Sequence, residues 1–459
     1  MKRTLEGTLS RLCEIVGEDR VLSDPAALEA RAAGAIRPSA VVLPAETAEI
    51  AELMSFAAAE QLALLPCAGC TKLGIGIQPN RYDFALDLSR MNRVLDYDPQ
   101  DLTLGVEPGV RVVDLLRVLR EQRQFLPLAV PFAGRATLGG VTAANSSSPL
   151  RHAYGGIRDF CLGLEFVTGE GVVSKSGGRV VKNVTGYDMH KLLIGSLGTL
   201  AVITRLNFRT FPIPPVQRTF VVAFPGAEPA FGFCRTIAES VLAPQIVEVV
   251  DPGAARLLSG SAPPPPCFDP RSWSVVVTAA GKASVVERYD REMARMAHEA
   301  QASGLVSLGE EEERSVLESV CEFEPHILKG SSAAVIFRIG VLPSAMAPLF
   351  SQLRETAARF DLDLAALARA SGLLFVAILA KEGNAVIPPL SEAVSQVFAA
   401  CRIPEIAAQA ALQWAPPEVS RSAGSIWDPS RQDWELMRRL KKVFDPQAVL
   451  SPGRLGSGI

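Results

Sequence analysis

The chain has 459 residues, 48% hydrophobic and 21% charged, enough for two or three domains with sizeable cores. Its 46 Lys and Arg against 49 Asp and Glu leave a net charge of -3 with no basic stripe, which argues against nucleic acid as the main partner. No apolar stretch reaches the length of an integral membrane segment, and Met1-Lys2-Arg3-Thr4-Leu5-Glu6-Gly7 lacks the apolar core of a signal peptide; a cytoplasmic protein is expected, peripheral to a membrane only through partners.

In chain order, residues 47–61 place Ile50, Leu53, Met54, Ala57 and Ala58 on one face at helical spacing. Leu62-Ala63-Leu64-Leu65-Pro66 reads as a short buried strand running into a loop over 67–76. Residues 84–88 and 102–107 read as strands, and Val112, Val113, Leu116 and Leu119 mark an amphipathic helix. A hairpin is expected over 162–168 and 172–175 around Gly169-Glu170-Gly171, then a long strand over 200–211. Phe211-Pro212-Ile213-Pro214-Pro215 breaks the pattern and marks a domain boundary. Beyond it, strands (218–224, 245–250, 273–279, 333–341, 373–379) alternate with helices (around 283–301, 344–360 and 390–400). That pattern suits an antiparallel sheet with helices on one face. Ala262-Pro263-Pro264-Pro265-Pro266 reads as a stiff surface loop, and Glu310-Glu311-Glu312-Glu313 as a solvated turn or helix face. Residues 433–444 read as a helix ending before Asp445-Pro446.

Of the eight cysteines, only Cys67-Ala68-Gly69-Cys70 holds a close pair. Such a pair is redox-active, half of a metal site, or a pair of small structural loop residues, and we read it as the last. His152, His190, His298 and His326 form no ligand pairs, so no metal site is expected.

Three blocks of small residues stand out. They are Ala136-Thr137-Leu138-Gly139-Gly140-Val141-Thr142-Ala143-Ala144-Asn145-Ser146, Tyr154-Gly155-Gly156-Ile157-Arg158-Asp159 and Gly195-Ser196-Leu197-Gly198-Thr199-Leu200-Ala201-Val202-Ile203-Thr204. Gly and Ala strip away the side chain, so backbone N–H groups can reach a phosphate or a flat ring. Together the blocks resemble the vanillyl-alcohol-oxidase (PCMH-type) FAD family, and Gly178-Arg179-Val180-Val181-Lys182-Asn183-Val184-Thr185-Gly186-Tyr187-Asp188 is similar to the pattern of its glycolate oxidase E-subunit branch. The resemblance covers 37–212 and, in the tail, 434–455. It implies an α+β chain: a two-part PCMH-type FAD-binding domain over 1–212, an antiparallel α+β cap or substrate domain over 213–418, and a C-terminal segment over 419–459 whose helix returns to the FAD domain. Two simpler readings stand beside it: glycines that only serve turns, and a retained fold that has lost FAD.

The resemblance also assigns residues. Where the family usually carries an Arg and three glycines before a Thr, this chain has Cys67, Ala68, Gly69 and Cys70, followed by Thr71 and Lys72. Cys and Ala are small enough to keep the loop's shape unless a place needs φ > 0, and Cys70 is where that matters. Pro131, Thr137, Gly139, Gly140, Ala144, Asn145, Ser146 and Ser147 fall on positions that contact FAD in the family, and Gly198, Leu200, Val202 and Ile203 match the segment whose backbone receives the adenine or the ring. No His lies in the 67–72 loop, so non-covalent FAD is expected there. Several backbone donors, each worth about 1.5–3 kcal/mol to a charged group, suffice to hold a diphosphate.

Oxidising a 2-hydroxy acid needs a cation for the carboxylate and a base for the hydroxyl proton. Arg338, alternating with Phe337 and Ile339 in Ala334-Val335-Ile336-Phe337-Arg338-Ile339-Gly340, is a candidate for the first, and His152 beside Arg151 for the second; a structural Arg and a non-catalytic loop His are the competing readings. Tyr187 and Asp188 read as structural or cofactor-wall residues. The resemblance further implies that catalytic relatives carry a His-rich Gly-Asp-Gly-Asn-type motif in the second domain, where this chain has Lys381-Glu382-Gly383-Asn384. The expectation is an FAD-binding flavoprotein oxidoreductase, an electron-transferring subunit of a glycolate-oxidase-like (2-hydroxy acid dehydrogenase) complex. Its partners are a flavoprotein and an iron–sulfur subunit, because this chain's own cysteines build no cluster. The alternatives are a self-sufficient FAD-dependent oxidase of a 2-hydroxy acid or alcohol, and a non-catalytic scaffold subunit.

Overall fold

The computed structural model describes residues 5–179, 186–259, 268–331, 333–381, 387–456 and 459. The proline run 262–266, Cys267, the centre of the 178–188 motif and Glu382, Gly383 and Asn384 lie outside them. Contacts divide the chain into two units: Met1–Ser147, Gly156–Ile213 and Pro429–Ile459 form the first, and Ser148–Gly155 with Pro214–Asp428 the second. The first boundary falls within the Pro-rich break, the second ten residues beyond position 418, and a short segment around His152 goes with the second unit. Among the described residues no helix is long and apolar enough to cross a membrane.

The first unit holds two sheets. Strands β1 (Val21–Leu22), β2 (Ala40–Val42), β3 (Leu64–Cys67) and β4 (Phe84–Asp87) lie in the order β1-β2-β4-β3, with β4 parallel to both β2 and β3. The helix Thr47–Glu60 makes the crossover between β2 and β3 and buries Ile50, Leu53, Met54 and Ala57; it stops at Gln61, whose φ of 56 gives a left-handed cap. Alternate residues of these strands enter different clusters, Leu64, Phe84 and Leu86 one and Leu65 and Ala85 the other, so both faces are covered, as parallel pairing requires.

The second sheet is antiparallel. Its strands β5 (Val94–Asp98), β6 (Thr103–Val106), β8 (Cys161–Thr168), β9 (Val173–Gly177) and β10 (Ala201–Arg209) run in the order β5-β6-β10-β8-β9, while β7 (Gln124–Phe125) pairs with β11 (Phe211–Pro212). The expected strand over 200–211 is broken at Thr210, whose hydroxyl donates to Gln124 Oε1 at 2.6 Å. The helix Val112–Glu121 buries Val112, Leu115 and Leu119. Val113, expected on that face, is exposed, because one residue along a helix turns the side chain by about 100°.

The second unit is built on an eight-stranded antiparallel sheet of β12 (Val216–Phe224), β13 (Ile246–Val250), β14 (Trp273–Gly281), β15 (Gly304–Ser307), β16 (Ala334–Gly340), β17 (Leu362–Arg369), β18 (Leu373–Ala380) and β19 (Gln409–Trp414), ordered β15-β12-β14-β13-β17-β18-β16-β19. Helices cover both faces rather than one. Val222, Val275 and Phe337 pack with residues of the helices Ala227–Glu239, Ala283–Glu299, Met346–Arg359 and Ile387–Cys401. Val221, Val276 and Ile336 pack with residues of Pro252–Ser259, Glu310–Cys321 and Phe323–Gly330. Strands covered on both faces lose polar alternation, which is why β17, rich in Ala and helix-prone by local propensity, was not foreseen. The four glutamates 310–313 open the helix Glu310–Cys321, where negative charge suits the positive end of the helix dipole.

The tail helix Trp434–Phe444 belongs to the first unit. Its buried Lys441 donates to the Thr199 and Leu450 carbonyls, each at 2.7 Å, and to Asp445 Oδ2 at 2.6 Å. Asp445 also accepts from the Val449 and Leu450 amides. Lys441→Met leaves that carboxylate buried without its cation, so the variant should lose about 3 kcal/mol of stability, read as a lower midpoint in guanidinium unfolding followed by circular dichroism.

Candidate functional site

Cys67 ends β3, and residues 67–73 line a cleft with about 760 Å³ of space, part of it open to solvent. The facing wall is the short helix Leu138–Ala143, whose N-cap Thr137 accepts from the Gly140 amide at 3.4 Å. The two bends abut. Arg135 Nη2 donates to the Gly69 carbonyl at 3.1 Å, and a methyl group on Gly69 would overlap the Arg135 carbonyl oxygen. The third wall is Leu197, Gly198, Ala201 and Ile203. It is tied to the helix end by Leu197 N–H donating to the Ala143 carbonyl at 2.8 Å, and Gly198, at φ 71, packs on the Pro66 ring.

The donor inventory shows what this cleft can hold. Among the described residues none accepts a hydrogen bond from the backbone amides of Gly69, Cys70, Thr71 or Gly198. Gly69, Cys70 and Thr71 are half-buried on the cleft wall, and successive free N–H groups on one such loop can cradle an anion. The amides of residues 138–141 are spent instead on Val110, Pro108 and Thr137. Arg454 supplies fixed positive charge: nearly fully buried, it donates from Nη2 to the carbonyls of Lys72 (3.0 Å) and Leu73 (2.9 Å). Its Nε has no partner, and among the described residues no carboxylate pairs with it. Burial lowers its pKa to about 10, with Tyr82 and Cys67 opposing, so it stays charged at neutral pH. Gly139, Gly140, Ala143, Ala144 and Ala201 leave the remaining walls almost bare of side chains. Free amides, an uncompensated guanidinium and a flat slot fit the diphosphate and ring of FAD.

Backbone strain gathers here. Cys70, Phe132, Asn145 and Leu197 take φ values of 51, 59, 46 and 53, conformations that cost a non-glycine residue about 1 kcal/mol or more each. The place occupied by Cys70 thus does need φ > 0, and a cysteine fills it.

Of the residues assigned to the cofactor, Cys67, Ala68, Gly69, Cys70, Thr71, Lys72, Thr137, Gly139, Gly140, Ala144, Gly198 and Ile203 line the cleft. Pro131, Asn145, Ser146, Ser147, Leu200 and Val202 do not. Val202 is fully buried in the core beside β4, since strand alternation that turns Ala201 and Ile203 to the cleft turns Val202 away. Tyr187, 89% exposed, walls nothing, and Asp188 pairs with Lys191 at 2.7 Å. Arg454, Pro108 and Ala143 were missed; for Arg454 the available signal was a lone cation after the turn Ser451-Pro452-Gly453. Arg338 and His152 belong to the second unit. Burial depresses the pKa of both, and for Arg338 the Glu324 carboxylate opposes while Arg151 and Arg369 add to it. His152 Nδ1 is buried without a partner.

Residues 38–177 match the family described as FAD binding domain, and residues 213–389 with 428–455 match FAD linked oxidases, C-terminal domain. The chain is 25% identical over 428 residues to glycolate oxidase subunit GlcD of Bacillus subtilis, spanning 91% of this chain and 89% of the relative. It is 37% identical to glycolate oxidase subunit GlcE of Escherichia coli over 130 residues, 28% of this chain and 37% of the relative. D-lactate dehydrogenase of Archaeoglobus fulgidus is 25% identical over 429 residues, 90% of each chain. Among solved structures, p-cresol methylhydroxylase superposes with a TM-score of 0.75 at 16% identity, covering 98% of this chain and 96% of the other, a likeness of fold.

Two substitutions test the cradle by titration of flavin fluorescence. Gly69→Ala should weaken FAD binding about tenfold or more by driving the loop off Arg135, whereas Gly134→Ala, with open space around it, should leave it unchanged. Arg454→Met should weaken it about ten- to a hundredfold, the worth of one hydrogen bond to a charged group, and more at low than at high salt.

Proposed function

We propose that this chain, which belongs to the PCMH-type FAD-linked oxidases, is an FAD-carrying electron-transfer subunit of a complex that oxidises small 2-hydroxy acids, with a second flavoprotein and an iron–sulfur protein as partners. The observation that carries the reading is the cleft of the first unit, where free amides at 69–71 meet the uncompensated Arg454. Bound FAD supplies a two-electron acceptor that also passes electrons singly. The chain's part is to hold the diphosphate through Gly69, Cys70, Thr71 and Arg454, and to seat the ring along Gly139, Gly140 and Ala201. The subunit assignment draws on the E-subunit-like blocks, on the 37% match to GlcE, and on Lys381-Glu382-Gly383-Asn384 standing without histidine where the resemblance implies a His-rich motif.

A second reading, self-sufficient oxidation of a 2-hydroxy acid, has support of its own. Relatives named for glycolate and D-lactate match nine tenths of this chain. In this reading Arg338 grips the substrate carboxylate and His152 Nδ1 takes the hydroxyl proton; burial keeps that imidazole neutral and ready to accept it.

Anaerobic mixing of the FAD-loaded chain with glycolate or D-lactate separates the two. The subunit reading expects the flavin to stay oxidised until a GlcD-type subunit is added; prompt bleaching of the isolated chain would overturn it in favour of the second. Under the second reading Arg338→Met should weaken oxalate binding about tenfold or more in calorimetry. Unchanged affinity together with a lower melting temperature would assign Arg338 to Glu324 alone.

A further inference from the structure

Two thiols line the cofactor cleft without a role in holding a diphosphate. Cys67 closes β3, and Cys70 follows after Ala68 and Gly69. Both thiols line the same cleft, Cys70 Sγ lies 3.4 Å from the Ala68 carbonyl, and neither is in a disulfide. Access to them differs. Cys70 borders both the cleft and a second groove with about 1260 Å³ of space, part of it open to solvent, that Arg31, Ser89, Asn92 and Arg135 also line, whereas Cys67 borders the cleft alone. Their acidity differs in the same sense. The Cys67 thiol, and after it Arg31 and Arg135, lower the Cys70 pKa against burial and Asp87, while the Cys70 thiol and burial raise that of Cys67. A thiol that borders two openings and ionises more readily than its neighbour three residues back is the arrangement of an attacking and a resolving cysteine. The left-handed backbone at Cys70 shows that the side chain is kept where glycine would be less strained.

We propose that Cys67 and Cys70 form a reversible disulfide by exchange with a low-molecular-weight disulfide, and that closing it weakens FAD binding, a proposal that rests on this loop being the seat of the FAD diphosphate. The Cys70 thiolate attacks one sulfur of the small disulfide, breaking its S–S bond and expelling one thiolate, which takes up a proton. Cys67 then gives up its proton and attacks Cys70 Sγ in the mixed disulfide, expelling the second thiol. One S–S bond is lost and one is made; the cysteine pair loses two electrons, and the small disulfide is reduced to two thiols.

The coupling to FAD is steric. Bonded sulfurs stand about 2.05 Å apart with Cβ atoms near 3.8 Å, closer than two thiols in van der Waals contact, so closure pulls on Ala68 and Gly69. Gly69 has no room to yield, because its Cα sits against the Arg135 carbonyl and its own carbonyl is held by Arg135 Nη2. The free amides of Gly69, Cys70 and Thr71 must therefore turn. By reciprocity, bound FAD protects the dithiol.

The test takes the full chain through a series of glutathione to glutathione disulfide ratios, quenches with a maleimide, and maps peptides by mass spectrometry. FAD affinity is titrated at each end of the series. The expected result is a peptide containing Cys67 and Cys70 that is lighter by two hydrogens, with FAD binding about tenfold weaker and restored by dithiothreitol. Cys70→Gly, which suits the backbone, and Cys67→Ser should each show one affinity at both ends; Cys13→Ser should respond as the wild type does. Thiols that stay alkylatable throughout, glutathione adducts without an internal bond, or closure with unchanged affinity would each overturn the proposal. Reduced protein that binds no FAD would instead overturn the cofactor reading, and the peptide map still decides whether the pair closes.

Discussion

The first loop of the cleft keeps its shape because the end of the chain lies against it. Strand β3 is the outer strand of its sheet, and an uncovered edge would leave its amides and carbonyls unpaired. Residues 449–451 close that edge: the Leu64 amide donates to the Val449 carbonyl and the Ser451 amide to the Leu64 carbonyl, both at 2.8 Å. Further along, the Ile77 amide donates to the Arg454 carbonyl and the Asn80 amide to the Pro452 carbonyl, while Arg454 Nη2 holds the Lys72 and Leu73 carbonyls. A loop without helix or strand of its own would otherwise lose about 1–2 kcal/mol per residue on ordering, with nothing to offset it. Its geometry is thus fixed by residues more than 370 positions away in sequence.

The same tail carries two buried cations that do different things. Lys441 is neutralised by Asp445 and saturated by two carbonyls, so it knots the helix Trp434–Phe444 to the loop 196–199 and has nothing left for a ligand. Arg454 has carbonyls but no carboxylate among the described residues, and one nitrogen still unpaired. A buried guanidinium without a counter-charge is unfavourable in the empty protein and becomes favourable when an anion arrives. The walls divide the remaining work. The 69–71 loop offers donors; the segment opening at Leu138 has spent its first amides on Val110, Pro108 and Thr137 and offers closeness. Gly139 is needed because a Cβ there would lie 2.6 Å from the Pro108 ring.

The small-residue blocks were legible because a surface that must approach a flat cofactor tolerates few side chains, and Gly139-Gly140, Ala143-Ala144 and Gly198 announce that locally. Arg454 was only half legible: the tail's return to the FAD domain was expected, but that its guanidinium meets the Lys72 and Leu73 carbonyls depends on segments far apart in sequence. Val202 sends its side chain into the core, because a period of two turns it away from the face of Ile203. In the second unit, β17 reads Leu-Asp-Leu-Ala-Ala-Leu-Ala-Arg, helix-like in composition, and pairing with β18 across the left-handed Gly372 (φ 98) and with β13 on its other edge makes it a strand. A sheet covered by helices on both faces erases the alternation that would have revealed it.

That double coverage also explains where the second unit keeps its charges. Glu248 on β13, Arg369 on β17 and Arg338 on β16 share a face with Val250, Leu367 and Ile336, because each stands an even number of residues from its companion. Register then brings them together: Glu248 lies directly across from Arg369, and Arg338 across from Phe375. The Arg369 guanidinium lies 4.5 Å from the Phe375 ring centroid and 3.3 Å from Glu248. Burial raises the Glu248 pKa to about 7 even against that guanidinium, so the pair is only partly ionic near neutral pH. Apolar residues of similar volume would hold such a sheet at least as well. Arg338 on the same face is half-buried, and its charge is opposed by that burial and by Arg151 and Arg369 and favoured by Glu324.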